Sequence, residues 1–276
     1  MSMNKQAQIL PAAVADDLEF RDLGVVLGKG WTDFRTQPVF GLFFAAIYVF
    51  AGLAIYFALY VRGEIAWLVP AAAGFPLLAP FVAVGLYEVS RRREAGLPMS
   101  WRAILGALRG RGDEQILSMG VILFVAFAFW LMVAHGIFAI FLADSGLALD
   151  SVNLFYTGTG IMMLLVGSFV GALMALAFFS IIVVSLPMLV DREVDFITAI
   201  IVSLATVRSN KIVLLAWAII IAIALFLAML PLFLGLLVVL PILGHATWHL
   251  YRRVAGHPVV TENTAGDKHR DSGSSR

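Results

Sequence analysis

The chain has 276 residues and a formal net charge of +1; 61% of it is hydrophobic, 13% is charged, and its mean hydropathy is +0.95. A soluble domain carries about 25% charged residues, and here the charges cluster, leaving uncharged runs longer than the ~20 residues that cross a hydrocarbon core, so the expected class is an all-α membrane protein. The small net charge and the lack of any nucleic-acid motif exclude nucleic acid as a partner, and the absence of cysteine excludes disulfides, thiolate metal sites, iron–sulfur clusters and cysteine nucleophiles.

Residues 1–16 are polar and read as a disordered N-terminal segment. The first 38 residues contain acids and no continuous apolar core, so they do not read as a cleavable signal peptide, and the first membrane helix is expected to direct insertion. That span is expected near 39–61. A tight turn, "RGE" at 62–64, leads to a second span near 65–89, kinked by Pro70, Pro76 and Pro80. A basic linker follows at 91–114, then a third span near 116–142. The connector 143–157 holds Asp144 and Asp150. A fourth span lies within 158–190, and a polar linker covers 191–211. The apolar block 212–250 is too long for one span and right for two, broken near "MLPLF" at Pro231. A single polytopic domain is expected over 17–256, with a disordered tail at 257–276.

Six spans place eighteen of the nineteen lysines and arginines on one side, with Arg62 alone on the other. By the positive-inside rule both termini are then cytoplasmic. The linkers carry amphipathic patterns. Trp101, Ile104, Leu105 and Leu108 recur at helical spacing, with Arg102 and Arg109 on another face. Ile197, Ile200, Ile201 and Leu204 form a second stripe; Phe20, Leu23, Leu27 and Phe34 form a third, weakened by glycines. The expectation is three hairpins of spans, each preceded by an interfacial amphipathic helix. A threefold internal repeat is one explanation, since the second span of each hairpin carries a proline before its cytoplasmic end; the general abundance of proline in membrane helices is the other.

Ionisable groups within membrane helices are costly and therefore candidate functional residues. His245 and His249 are four apart and share a helix face. Glu88 and Asp191 could add ligands from neighbouring hairpins, so these four form the candidate metal site. The H-E-x-x-H pattern is absent. The simpler reading of "GHATWHLYRR" is a membrane anchor: Trp248 and Tyr251 as an aromatic belt, Arg252 and Arg253 at the inner surface, the histidines as interfacial polar groups. Trp101, Arg102 and Arg109 are the corresponding membrane-interface residues of the first linker. His135 falls at the opposite membrane depth from the other two histidines. "GSFVG", with Gly167 and Gly171 and with Ala175 one turn on, is a small-residue ridge suited to helix packing, within one chain or between two. No phosphate loop, dinucleotide fingerprint or nucleophile elbow occurs, and no cofactor is expected.

"LLAPFVAVGLYEVSRRREAG", "SLPMLVDREVDFITAI" and "LPILGHATWHLYRR", in that order, resemble a bacterial integral membrane family of unknown function (DUF 2189 type), over roughly 30–255. Some members are labelled cytochrome c oxidase. Three intramembrane histidines are too few for a haem–copper catalytic subunit, so the resemblance implies at most an accessory or assembly role near respiratory complexes. It supplies no catalytic residues. The leading expectation is a non-enzymatic accessory or scaffold protein, with membrane lipids and other membrane subunits or a second copy as partners. A small-solute or lipid transporter is the alternative, and a metal- or haem-dependent membrane enzyme the third.

Overall fold

The computed structural model describes residues 15–64, 67–68, 71, 79–107, 115–142 and 157–255. The expectations for residues 1–14 and 256–276, for Pro70, Pro76, Leu108 and Arg109, and for Asp144 and Asp150 lie outside them. The described residues form helices and turns: α1 (Phe20–Thr36), α2 (Pro38–Arg62), α3 (Ala79–Glu94), α4 (Trp101–Gly106), α5 (Gln115–Leu142), α6 (Gly158–Asp191), α7 (Phe196–Ser209), α8 (Lys211–Met229) and α9 (Leu236–Ala255).

Four of these, α2, α5, α6 and α8, are long and apolar enough to cross a membrane by length and composition. Their outward faces carry large apolar side chains: Phe50 is 71% exposed, Ile140 75%, Phe169 66% and Ile212 73%. Such continuous apolar surface is unfavourable in water and is what a bilayer solvates. The chain is a multi-pass integral membrane protein.

The centre is built from helix ends. Residues 83–90 of α3 and 183–190 of α6 are buried on every side, and α9 is buried along most of its length. These three segments pack against one another. A helix buried all round lies at the centre of its bundle, and this centre carries Ser90, Ser185 and His245 beside the leucines and valines.

The amphipathic helices pack around that centre. Helix α1 lies along α9 through Leu23, Val26, Gly30, Asp33 and Phe34. Gly30 is required there: a Cβ would stand 2.6 Å from the Ile242 carbonyl oxygen and 2.8 Å from the Ala246 nitrogen. Helix α7 lies along α6 with small and hydroxyl-bearing residues inward, Ala199, Val202, Ser203 and Thr206. Its apolar stripe points outward, with Ile197 and Ile201 each 58% exposed and Leu204 43%. Ser203 Oγ donates to the Ser180 carbonyl (2.8 Å) and accepts from Val184 N–H (3.2 Å). An α-helix would join those two backbone groups directly. The inserted hydroxyl lies one turn before Pro187, which itself cannot donate to Val183, so Ser203 satisfies backbone groups where α6 is disturbed.

Each amphipathic helix starts with a capping residue followed by an aromatic. Glu19 precedes Phe20 and forms a capping box with Asp22; Ser100 precedes Trp101 and accepts from Ala103 N–H; Asp195 precedes Phe196 and accepts from Thr198 N–H. Helices α1 and α7 pass into α2 and α8 through one residue each, Gln37 (φ −131°, ψ 55°) and Asn210 (φ −119°, ψ 40°). The bases of the following spans reach these helix starts. Phe40 and Phe43 of α2 pack on Trp101, with ring centroids 4.4 and 4.9 Å apart. Gln115, at the base of α5, accepts from Phe196 N–H at 2.9 Å. Asn210, at the base of α8, accepts from Leu18 N–H at 3.1 Å and donates to the Ala15 carbonyl at 2.8 Å.

Candidate functional site

The polar centre begins with Asp33. Its side chain is 1% exposed, facing α3 and α9 because Gly30 one turn earlier lets α1 approach closely. Asp33 Oδ2 accepts from Ser90 Oγ at 2.6 Å and from His249 Nε2 at 2.9 Å. Oδ1 pairs with the Arg93 guanidinium. Ser90 Oγ also lies 2.8 Å from His245 Nδ1. A hydroxyl has one proton, and here it is spent on Asp33, so His245 Nδ1 is the donor in that contact. His245 Nε2 is then a buried ring nitrogen with no hydrogen-bond partner among the described residues. Burial by itself raises the Asp33 carboxyl, but the hydrogen bonds from His249 and Ser90 outweigh it and hold the group below the ordinary carboxylate range.

Three further ionic groups tie the neighbouring helix ends. Glu88 is gripped by Arg91, with Nε to Oε2 at 2.7 Å and a terminal nitrogen to Oε1 at 2.6 Å, and by Arg92 at 3.3 Å. Arg92 also donates to the Pro98 carbonyl, fastening the turn toward α4. Asp191 accepts from Tyr251 at 2.7 Å and lies 3.4 Å from Arg252. Arg252 in turn pairs with Glu94 at 3.0 Å, which also accepts from Trp248 Nε1 at 3.1 Å. Arg253 reaches back to Asp17 (3.1 Å) and Asp22 (3.5 Å) at the start of α1.

The four candidate metal ligands are thus distributed rather than joined. His245 and His249 meet Ser90 and Asp33, Glu88 meets arginines, and Asp191 meets Tyr251 and arginine. Among the described residues no group of three or more potential ligands could hold a metal ion.

The anchor reading of "GHATWHLYRR" requires correction. Trp248 and Tyr251 are 0% exposed within the chain itself, so they form no lipid-facing belt. Their polar atoms are spent on Glu94 and Asp191, and Arg252 and Arg253 are engaged by carboxylates of this chain. In the first linker Trp101 and Arg102 are exposed, whereas Ile104 is 0% exposed and faces the protein rather than lipid. The small-residue ridge on α6 is used in part. A Cβ at Gly171 would stand 2.9 Å from the Trp130 ring of α5, but Gly167 has open space and Ala175 is exposed. His135 stacks on Trp67 with ring centroids 5.4 Å apart and takes no part in the polar centre.

Three members of this centre, Asp33, Ser90 and Arg93, were not among the sequence candidates. The signal for Asp33 is its position seven residues after Val26 and three after Gly30, on the inward face of an amphipathic helix.

A pocket of about 590 Å³ opens beside the Asp33 cluster, between α1, α3 and α9. Lys29, Thr32, Asp33, Arg93, Glu94 and His249 supply its polar lining, and Val25 and Gly28 its apolar edge.

Residues 68–191 match the family described as "Predicted integral membrane protein (DUF2189)". The DUF2189 match contains Glu88, Ser90, the arginines 91–93 and Asp191. Asp33, His245 and His249 lie outside it, so the polar centre joins the matched segment to chain on both sides. No curated protein and no solved structure matches the chain.

Proposed function

We propose that this protein is a six-span inner-membrane accessory or scaffold protein, built from three like units, with both ends in the cytoplasm and no reaction of its own. The observation that carries this reading is the state of the central carboxylates. Asp33, Glu88, Glu94 and Asp191 are each held by arginine or histidine of the same chain. Groups paired in this way fix helices against one another, while the outward faces remain apolar and available to lipid or another membrane subunit.

The contacts at the helix starts support three units. The base of the first unit's span meets Trp101 of the second, Gln115 of the second meets Phe196 of the third, and Asn210 of the third meets Leu18 of the first. This is a cyclic order in which each unit caps the next. The resemblance of the sequence makes respiratory complexes the first neighbours to examine.

Two experiments test the proposal. Reporters active only outside the cytoplasm, fused after residues 63, 110, 150, 200 and 260, should work at 63 and 150 alone; strong activity at 260 overturns the six-span count. Gentle solubilisation after cross-linking should retain another membrane protein in fixed ratio. A solitary protein that carries solute across liposomes would overturn the scaffold role in favour of transport.

A further inference from the structure

We propose that the pocket between α1, α3 and α9 binds a phosphate group, carried either by a phospholipid headgroup or by a soluble phosphate. The carboxylates that line it are already engaged: Asp33 by Ser90, His249 and Arg93, and Glu94 by Trp248 and Arg252. Lys29 is exposed and has no hydrogen-bond or ion-pair partner among the described residues. Arg93 uses one guanidinium nitrogen for Asp33, and its remaining N–H groups are without partners among the described residues. The positive charge on this wall therefore exceeds the free negative charge. A lysine point charge beside an arginine fork is a pairing that recognises phosphate oxygens.

Gly28 leaves the α1 wall bare. Nothing lies within 4 Å of the position its Cβ would take, so a ligand can approach the backbone there. Val25, 49% exposed, forms an apolar lip beside the cations. An apolar lip beside cations suits a headgroup entering from the side, and this point rests on the six-span topology proposed above together with the interfacial position that the sequence pattern of α1 leads one to expect.

The test is native mass spectrometry of the full chain in mild detergent. Phosphatidylglycerol, phosphatidylethanolamine and a phosphate-free diacylglycerol are supplied in turn, with and without inorganic phosphate. The expected result is one phospholipid retained per chain and no diacylglycerol. Retention should fall about tenfold in Lys29→Gln, the loss of one charge-assisted contact. It should fall likewise in Gly28→Leu, which fills the bare wall, and stay unchanged in Lys211→Gln. Displacement by millimolar inorganic phosphate assigns the site to soluble phosphate, and resistance assigns it to lipid; either supports the proposal. Retention in Lys29→Gln and Gly28→Leu that matches the native chain, or diacylglycerol retained as well as phospholipid, overturns it. Unchanged melting of the variants shows that they fold, and the reporter fusions read topology independently, so a failed pocket is distinguishable from a failed topology.

Discussion

Replacing Gly30 with alanine tests whether the approach of α1 to α9 organises the polar centre. The new methyl would lie 2.6 Å from the Ile242 carbonyl oxygen, 2.8 Å from the Ala246 nitrogen and 3.0 Å from the Ala246 Cβ. A carbon–oxygen contact is normally about 3.3–3.6 Å, so α1 must retreat by roughly 0.7 Å or more. The obstacle is the backbone of one turn of α9 and cannot rotate aside. Such overpacking costs about 1–3 kcal/mol. Gly24→Ala is the matched control, since it lies on the same helix with nothing within 4 Å of the new methyl. Both variants gain the same ~0.5–1 kcal/mol of helix preference, so their difference isolates the packing cost. At about 2–4 °C per kcal/mol for a chain of this size, Gly30→Ala should melt roughly 2–12 °C below Gly24→Ala in detergent. If Gly30→Ala melts with or above Gly24→Ala, the close packing of α1 on α9 is wrong.

The remaining predictions concern polar contacts that hold helices together. Asp33 has a carboxyl pKa lowered by folding, so its contribution is complete above the ordinary carboxylate value of about 3.9 and is lost as pH falls further. As pH falls below about 4, melting of the native chain should therefore drop by more than that of Asp33→Asn; an identical drop in both would refute the assignment. At neutral pH Asp33→Asn should cost about 2–3 kcal/mol, less than the ~3–5 of a fully buried pair because Arg93 is a third exposed. Ser203→Ala leaves the Ser180 carbonyl and Val184 N–H without their bridge and should cost about 1–3 kcal/mol, read as faster hydrogen exchange in α6 around Val184; unchanged exchange there would refute the bridge. Asn210→Ala removes two bonds to the chain before α1, so protease cleavage near residues 15–18 should quicken while the melting of the spans changes little; unaltered cleavage would show that Asn210 does not pin this segment.

The local elements were largely legible from residue order. The spacing of Trp101, Ile104 and Leu105, and of Ile197, Ile201 and Leu204, marks helices because a recurrence every three or four residues is a local property, whatever lies elsewhere. The apolar runs of α2, α5, α6 and α8 reveal membrane helices because bilayer thickness sets a minimum length. Which way a helix faces is a different kind of information. Trp248 and Tyr251 have the same spacing from Arg252 whether they point at lipid or at α3 and α6, and the structure turns them inward, onto Glu94 and Asp191. Ile197, Ile201 and Leu204 form a plain apolar stripe, yet the packed face of α7 is the one with Ser203 and Thr206, because hydrocarbon solvates isoleucine as well as a protein core does and leaves hydroxyls to seek partners inside. The same reason hid Asp33. Composition and periodicity identified the chain as a multi-pass membrane protein and located its helices, since those properties depend on contacts with solvent and near neighbours along the chain. Only tertiary structure joined Asp33, Ser90, His245 and His249, because a buried charge is tolerable only where partners from distant segments arrive together, and residue order does not record which segments those are.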